Sequence, residues 1–413
     1  MDQSFEPRCV GLLSPGWPVN SMANGIVSYV GTVRRGLANL GIDCHVLTAN
    51  LIETTGEPGI HPIPVNSTSV YAKILWKLTP ESANQRLMCA GLQKVVRRLH
   101  FEKGLQLLEL EESFGWASAL SNRSPVPLVV RLHGPWFLNG AANGVAKDAT
   151  FLRRDKAEKA GIAAAHAITA PSQHVLDQTR EHFRLPLAGA KVIANPVDPV
   201  TSEDRWKLAD VDRNRIVFIG RFDRHKGGDT MIDAFAHIVT QFPEARLDFA
   251  GPDRGCIDSD GRSWNFKDYV NAKLREADRQ KVTYHGFQPN SAVTQLRKRA
   301  LVTVAPSRYE TFGIAAAEAM MSGCPLVVCG TGALNELVQQ DHNGLVALPD
   351  NGADVGEKLL ALLRNPEYAA KLGDQAATDA AARYSTDVIA RQTRDFYRDV
   401  LGEFASRSFS RRM

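Results

Sequence analysis

The chain has 413 residues, of which 44% are hydrophobic and 23% charged, with a formal net charge of +4. This length exceeds what one ordinary hydrophobic core accommodates and favours two domains, while so small a net charge gives no argument for a nucleic-acid partner. No apolar run approaches the roughly 20 residues of a membrane-spanning helix, so we expect any membrane contact to be peripheral.

The cysteines and the first residues of the chain indicate the cellular compartment in which we expect the protein. The six cysteines show no spacing typical of a metal-ligand pair, and several lie in apolar runs, so we expect reduced core thiols. Residues 1–8 are polar, and the apolar run Cys9–Leu13 is too short for a signal peptide. We therefore expect a cytoplasmic protein, with any membrane association peripheral and on the inner face.

The amino-terminal part predicts the opening of a nucleotide-binding α/β domain. Cys9–Leu13 is an apolar run typical of a buried parallel strand, and a loop with Pro and Gly follows it. After Gly25, apolar residues keep helical spacing as far as Gly41, and Cys44–Thr48 predicts the next strand. The turn lacks Gly-x-Gly-x-x-Gly, which argues against a dinucleotide site. A plain helix cap is the alternative interpretation of Gly25.

Residues 50–100 predict long amphipathic helices. They carry Trp76 and a basic stripe of Lys94, Arg97 and Arg98. Such a stripe is usually a solvated helix face, and contact with lipid or a polyanion is the alternative.

Two apolar runs, Leu105–Leu110 and Leu128–Leu132, predict central strands. His133 directly follows the second run and precedes Gly-Pro, at the strand end where ligands bind in open α/β sheets. Its ring can hydrogen-bond a hydroxyl or a developing charge, although a lone histidine is more often structural. We expect the Gly- and Asn-rich segment 136–148 to form an acceptor loop or lid.

The next elements complete the first domain and lead into a second. Helices are predicted over Phe151–Ala163 and Ser172–Phe183, with the strand His166–Ala170 between them. The polar stretch Thr201–Asn214 is typical of an interdomain linker.

Two cations follow the apolar strand, 216–219, that opens the second domain. Arg221 and Lys226 come after this strand and its terminal Gly220. Together they can hold a diphosphate, arginine through its planar fork and lysine as a point charge. Surface charges at a strand end are also common without a ligand.

The segment from Ala305 to Gly323 predicts a strand end, a loop and a helix. We expect the opening turn to present the backbone N–H groups of Thr311, Phe312 and Gly313. With the positive end of the helix dipole they make a site for an anion such as a phosphate.

Two glutamates flank this helix start. Glu310 precedes the helix and Glu318 lies about two turns into it, so a ligand over the helix start can meet both carboxylates. A buried helix with two solvated glutamates is the alternative. The spacing Glu310-x7-Glu318 within Pro-Ser-x-x-Glu-Thr-Phe-Gly resembles the signature of the family 4 glycosyltransferases, retaining enzymes of GT-B fold. In that family the first glutamate contacts the donor sugar, the second the nucleotide ribose, and the backbone between them the diphosphate.

The resemblance extends to motifs on both sides. Gly-Arg-x-x-x-x-Lys-Gly, here with Arg221 and Lys226, implies that both side chains contact the leaving diphosphate. It also implies that His133 contacts the donor sugar and that the turn at Gly25 faces the diphosphate. At Pro196 the chain departs from the family, whose corresponding turn usually has glycine.

A further loop bears on the nucleobase. In the family, the loop after a His-Gly pair, here His285 and Gly286, holds the base largely by its backbone. The resemblance therefore makes Phe287 and Gln288 candidates, and leaves uridine and guanosine both open.

The resemblance implies an α/β fold of GT-B architecture, with two Rossmann-like domains whose parallel sheets face each other across a cleft. Residues 1–200 would form the acceptor-binding domain and residues 201–385 the nucleotide-sugar-binding domain. Residues 386–413 would form a helix that crosses back to the first domain, followed by a polar tail.

The implied function is retaining transfer of a hexosyl unit from a nucleotide diphosphate sugar. The acceptor would be a hydroxyl of a glycan, a glycolipid or a small molecule, in polysaccharide or glycoconjugate biosynthesis. No carboxylate is evidently placed as a nucleophile, so a same-face mechanism fits better than a glycosyl-enzyme. In it Arg221, Lys226 and the helix start stabilise the diphosphate while Glu310 and His133 position the sugar.

That mechanism requires no metal or other cofactor. Two Asp-x-Asp pairs, at residues 210–212 and 258–260, lie in the linker and in a polar insert, and we interpret them as solvated turns. The alternatives are a nucleotide-sugar epimerase of the same fold and a non-catalytic nucleotide-sugar-binding protein.

Overall fold

The computed structural model describes residues 5–19, 24–52, 56–64, 80–258 and 260–410. The chain divides into two compact units. Met1–Pro196 and Thr386–Met413 form the N-terminal unit, and Val197–Ser385 forms the C-terminal unit. Each unit contains its own parallel sheet. The predicted α/β class with two parallel sheets is therefore confirmed.

The N-terminal unit is built on a seven-stranded sheet. Its strands are β1 (Cys9–Ser14), β2 (Asp43–Thr48), β3 (Ile60–Pro62), β4 (Leu107–Glu111), β5 (Leu128–Arg131), β6 (Ala167–Ala170) and β7 (Lys191–Val192). They lie in the order β3-β2-β1-β4-β5-β6-β7, and all neighbours are parallel. The central strands β1, β4 and β5 are buried along their whole length because each face of the sheet packs on its own hydrophobic cluster.

Helices join these strands. They are α1 (Gly25–Asn39), α2 (Pro80–Lys103), α3 (Trp116–Leu120), α4 (Trp136–Ala142), α5 (Ala149–Ala164), α6 (Gln173–Phe183) and, after the C-terminal unit, α15 (Thr386–Ser410). The predicted loop 136–148 is thus wrong in its first half, which forms α4. The Gly and Asn residues of the segment masked a short helix, WFLNGAA, that packs on α5.

The C-terminal unit has a six-stranded parallel sheet and a small antiparallel pair. The strands are β8 (Asp212–Ile219), β9 (Arg246–Ala250), β10 (Cys256–Ile257), β11 (Ser263–Trp264), β12 (Val282–Gly286), β13 (Ala300–Ala305), β14 (Leu326–Cys329) and β15 (Leu345–Ala347). The six lie in the order β12-β9-β8-β13-β14-β15, and β10 pairs with β11. Chain order reverses between β8 and β13, the kind of position where open sheets bind ligands.

The helices of this unit pack against its sheet and against one another. They are α7 (Gly228–Gln241), α8 (Phe266–Lys273), α9 (Glu276–Arg279), α10 (Asn290–Arg299), α11 (Ile314–Ser322), α12 (Leu334–Leu337), α13 (Gly352–Arg364) and α14 (Pro366–Tyr384).

Helix α15 packs on α1 in the N-terminal unit. A Cβ atom on Gly36 of α1 would lie 2.8 Å from Cβ of Ala390, so glycine permits this close approach. The Tyr397 hydroxyl donates to Glu109 Oε2 over 3.0 Å, and the Tyr29 hydroxyl donates to Glu109 Oε1 over 2.8 Å. The last helix is thereby attached to the strand β4 through a buried carboxylate.

The stretch Thr201–Asn214, predicted as a linker, lies inside the C-terminal unit instead. Trp206 is 5% exposed and its indole N–H donates to the carbonyl of Ala300 over 2.8 Å. The polar neighbours of this tryptophan masked a packed segment. Strand β8 already begins at Asp212.

Other predictions concern surface and core residues. Lys94, Arg97 and Arg98 are exposed on α2, and Trp76 falls outside the described residues. All six cysteines are free and buried, as predicted. Within the described ranges, no helix combines the length and apolar character needed to cross a membrane.

Candidate active site

The turn between β13 and α11 carries Glu310. Strand β13 is fully buried, and α11 begins at Ile314, with Gly313 as its N-cap residue at φ 93°. No side chain caps this helix. Its first N–H groups are therefore left for another acceptor, which is the arrangement that binds anions.

The predicted donors at this helix start need a correction. Because the helix begins at Ile314, the four N–H groups that no helical carbonyl accepts belong to the N-cap residue Gly313 and to Ile314, Ala315 and Ala316. Of the predicted residues, Thr311 lies in the preceding turn, and Phe312 is 3% exposed with its ring against Tyr384. The Phe312 side chain is a core group, which leaves only its backbone for a ligand.

Glu310 is paired with Lys226 across the unit's central strands. Lys226 Nζ lies 2.6 Å from Glu310 Oε1, and the Ser307 hydroxyl donates to the same oxygen over 2.8 Å. Burial favours a higher pKa for Glu310, but the charge and hydrogen bonds of Lys226 and Ser307 outweigh it and lower the pKa below its usual value. Glu310 is thus a carboxylate at neutral pH.

Arg221 lies on the same loop as Lys226, held by an aspartate between them. Arg221 Nε is 2.5 Å from Asp223 Oδ2, and Asp223 Oδ1 accepts from the Lys226 backbone N–H over 2.7 Å. The structure therefore brings both predicted cations to the carboxyl end of β8. Sequence reasoning did not single out Asp223, although it falls between the two cations of the motif.

Two glycines let this loop and the Glu310 turn pack tightly. A Cβ atom on Gly227 would lie 2.0 Å from the carbonyl oxygen of Pro306, and one on Gly332 would lie 2.5 Å from that of Glu310. Both glycines have positive φ, 68° and 51°. A larger residue at Gly227 would push the loop away from the Glu310 turn, and one at Gly332 would push the segment after β14 away from that turn.

Glu318 faces a different partner. Its Oε2 accepts from Arg297 over 2.7 Å, and Arg297 is 5% exposed. Glu318 remains more than one-third exposed, so a ligand can reach it. The carboxylate also neutralises a buried guanidinium, a structural role that the helix spacing gave no reason to expect.

The loop after β12 carries the candidate base-binding residues. Gln288 donates to the carbonyl of His285 over 2.7 Å, and Phe287 is 61% exposed. His285 Nε2 in turn lies 2.7 Å from Asp248 Oδ1. An exposed phenylalanine on a fixed turn offers a face for stacking.

His133 follows β5 in the N-terminal unit. Its ring meets the Tyr29 ring edge to face at 4.9 Å, and burial together with the nearby Arg131 charge holds its pKa well below the usual value. Glu112 accepts from the backbone N–H groups of His133 and Gly134, over 2.9 and 2.8 Å. His133 is thus a neutral imidazole on a fixed turn.

Two buried glutamates missed from the sequence hold this turn. Besides Glu112, Glu158 of α5 accepts from the Trp136 backbone N–H over 2.7 Å and from Arg154 Nε over 3.0 Å. Burial raises the pKa of each carboxyl to about 7. Consecutive acidic residues ending the apolar strand β4 were the available signal.

The residue that caps helix α1 is the neighbour of Gly25 and not Gly25 itself. Asn24 is the N-cap of α1, and its side chain accepts from the Ile26 backbone N–H over 2.8 Å. One donor at this helix start is therefore already used. Gly25 itself occupies the first helical position.

One cluster of metal-ligand type occurs among the described residues. Cys9, Asp43 and His45 bring their ligand atoms within 4.8 Å of one another. They lie at or near the amino ends of β1 and β2, opposite the edge that carries His133. The cluster is therefore separate from the candidate site.

Comparison with known proteins covers most of the chain. The family described as Glycosyltransferase Family 4 matches residues 23–200, and that described as Glycosyl transferases group 1 matches residues 200–379. An uncharacterized glycosyltransferase of Methanocaldococcus jannaschii is 28% identical over 55% of this chain and 58% of its own length. Alpha-D-kanosaminyltransferase of Streptomyces kanamyceticus is 24% identical over 67% of this chain and 71% of its own length. A D-inositol 3-phosphate glycosyltransferase of Streptomyces bingchenggensis is 27% identical over 70% of this chain and 64% of its own length. The chain thus spans 58 to 71% of these relatives' lengths.

Solved structures share the fold. Sucrose-phosphate synthase of Thermosynechococcus elongatus superimposes with a TM-score of 0.70 at 20% identity, over 96% of this chain and 100% of that one. HepE of Anabaena, in complex with UDP-glucose, gives a TM-score of 0.67 at 18% identity, over 96% and 99%. At these identities the likeness concerns the fold.

Proposed function

Because this chain belongs to the GT-B glycosyltransferases of family 4 and group 1, we propose that it transfers a hexosyl unit from a nucleoside diphosphate sugar to an acceptor hydroxyl. The observation that carries the proposal is the convergence of Lys226, Glu310 and the uncapped start of α11 in the C-terminal unit. A cation, a carboxylate and free N–H groups are what a sugar diphosphate needs.

The leaving diphosphate is the first group to be accommodated. In this proposal Arg221, Lys226 and the N–H groups that open α11 stabilise the negative charge that develops as the glycosidic bond breaks. Positive groups supplied by the protein do the work of a divalent cation, so transfer proceeds without a metal. The cluster of Cys9, Asp43 and His45 has no part in it.

The remaining candidate residues contact the sugar and the nucleoside of the donor. Glu310 accepts hydroxyls of the transferred sugar, since its low pKa keeps it ionised. His133, as a neutral imidazole, helps to position that sugar. Glu318 accepts from the ribose, and Phe287 with Gln288 contacts the base.

The stereochemical course follows from these roles. None of the proposed residues acts as a nucleophile towards the anomeric carbon, so the acceptor oxygen attacks from the face that the diphosphate leaves. A diphosphate oxygen takes the acceptor's proton, and the product keeps the donor's anomeric configuration. The N-terminal unit binds the acceptor.

The experiment starts with donor binding. HepE was solved with UDP and with UDP-glucose, so UDP-glucose is the first probe and GDP-mannose the second. Selective binding raises the unfolding temperature, because a ligand of the folded state stabilises it in proportion to ln(1 + [L]/Kd). We expect a shift with one nucleotide sugar, and release of its nucleoside diphosphate on incubation. A shift without any release would support a non-catalytic binder instead.

A further inference from the structure

The N-terminal unit contains a cavity of about 820 Å³. It opens where β1 and β4 end, with Ser14 and Glu111 in its lining, and residues at the start of α5 close its other side. The volume lies within the roughly 300–1,000 Å³ of small-molecule sites.

One wall of this cavity is a stack of flat groups. The Arg154 guanidinium lies 4.0 Å from the Trp136 ring centroid and 4.5 Å from that of Phe114. The Phe114 ring in turn stacks on Trp116 at 5.7 Å and 24°. The aromatic members of the stack offer planar surfaces of low polarity, which suit the C–H face of a sugar ring.

Phe114 is held in place at a conformational cost. It is 46% exposed and has φ 58°, the left-handed region that bulky residues rarely adopt. Such strain persists where surrounding structure enforces it, and it concentrates at binding sites. Here it keeps an aromatic ring at the cavity rather than in the core.

A carboxylate lies beside this wall. Glu111, 5% exposed, lines the cavity, and a hydrogen bond from Ser113 holds it. Burial raises its pKa to about 7. A sugar hydroxyl can donate to such a group, whereas a phosphate brought near it would be repelled.

The charges that line the cavity are mostly negative once internal pairs are counted. Arg154 is ion-paired with Glu158 over 3.0 Å, while Arg153 donates to the neutral Thr150 hydroxyl over 2.9 Å. The Asp148 carboxylate lies at the start of α5, where it accepts from the Phe151 N–H over 2.8 Å. Two carboxyl groups, of Glu111 and Asp148, therefore face one further cation, a balance that disfavours a phosphate.

We infer that the acceptor is a neutral saccharide or cyclitol, whose ring stacks against Phe114 and whose hydroxyl donates to Glu111, and that phosphorylated acceptors are disfavoured. This inference rests on the proposed transferase function and specifies its acceptor. Recognition by a stacked ring and a carboxylate is independent of how the donor is held.

The test uses matched acceptor pairs with the full-length protein and the nucleotide sugar that it binds. The pairs are myo-inositol with myo-inositol 1-phosphate, and D-fructose with D-fructose 6-phosphate. We expect a neutral member to accelerate nucleoside diphosphate release, with kcat/KM at least about tenfold above that of its phosphorylated partner. A phosphorylated member that equals or exceeds its neutral partner would overturn the inference.

Variants of Phe114 and Glu111 test whether these two residues cause the preference for a neutral acceptor. Phe114→Leu and Glu111→Gln should each raise KM for the neutral acceptor about tenfold. Phe101→Leu and Glu102→Gln alter exposed residues of α2 in the same unit and should leave KM as it is. An unchanged KM in both cavity variants would contradict the assignment.

The outcomes separate this inference from the proposed function. If the donor is bound and hydrolysed but no neutral acceptor accelerates release, the acceptor assignment is wrong and the transferase proposal stands. If no nucleotide sugar is bound or hydrolysed, the proposed function itself fails, and the acceptor assignment fails with it.

Discussion

Lys226 Nζ lies 2.6 Å from Glu310 Oε1, although 84 residues separate them in the chain. Both side chains are largely buried, at 26% and 14% exposure, so each depends on the other for compensation of its charge. A diphosphate that attracts Lys226 would free Glu310 to accept a hydroxyl of the attached sugar. In the proposed function, the pair would therefore couple binding of the diphosphate to binding of the sugar.

Replacing either cation of this site should slow transfer. We expect Lys226→Ala and Arg221→Ala each to lower kcat by about 10²- to 10³-fold, because each removes a positive group from the leaving diphosphate. The measurement is the steady-state rate of nucleoside diphosphate release, with circular dichroism to show that the fold persists. Lys267→Ala, at an exposed lysine of α8, is the matched control. Near-normal turnover in both variants would refute the diphosphate assignment.

Variants of Glu318 and Glu310 should differ in how they bind nucleotides in a calorimetric titration. Glu318→Gln should weaken binding of the donor and of the free nucleoside diphosphate alike, since the ribose is common to both. Glu310→Gln should leave diphosphate binding nearly intact and slow transfer. Glutamine retains an acceptor for the buried Arg297, which Glu318→Ala would leave unpaired.

The exposed Glu276→Gln is the control for both glutamate variants. The opposite pattern, with nucleotide affinity lost in Glu310→Gln alone, would mean that the two roles are exchanged.

Stability should depend on the protonation of Glu112. Burial raises the pKa of this carboxyl from 4.5 to about 7, so the folded state binds the proton more tightly than the unfolded chain. Its contribution to stability is present below about pH 4.5 and is lost as the pH rises through about 7. Glu112→Gln removes this titration, while Glu111 and Glu158 remain in both proteins.

The measurement is the unfolding temperature of wild type and Glu112→Gln from about pH 5 to about pH 8. We expect the wild type to lose stability relative to the variant as the pH rises. A constant difference would show that Glu112 has an ordinary pKa.

The contribution of the bond between the last helix and Glu109 should be measurable in the free energy of unfolding. Tyr397→Phe removes one of two hydroxyl donors to the buried Glu109 carboxylate, and should lower the free energy of unfolding by about 1–3 kcal/mol. Tyr368→Phe, which removes a bond to Asp341 at the surface, is the control and should cost less. Equal effects in chemical denaturation would contradict a special role for Glu109.

The sequence predicts those parts of the fold whose signal is local. Apolar runs identified the central strands of the N-terminal unit within two residues, whereas β8 begins at Asp212, before its apolar run. The motif around Glu310 identified the loop that Lys226 contacts. Linear spacing carries such information because strand ends and helix starts are set by neighbouring residues.

What the sequence did not reveal depends on residues far apart in the chain. The pairing of Glu318 with Arg297 and the packing of Trp206 under Ala300 arise only when separate elements meet. The same is true of Glu112, a residue that the sequence patterns did not single out. Burial with two backbone donors made it a structural one.

The central claim is that Arg221, Lys226 and the start of α11 neutralise the leaving diphosphate and that transfer occurs on one face of the sugar. Its most direct test is NMR of the anomeric proton in the product, formed with excess chelator present. The account predicts a product with the donor's anomeric configuration, formed at a rate within a few fold of that without chelator. An inverted product, or complete loss of activity with chelator, would contradict it.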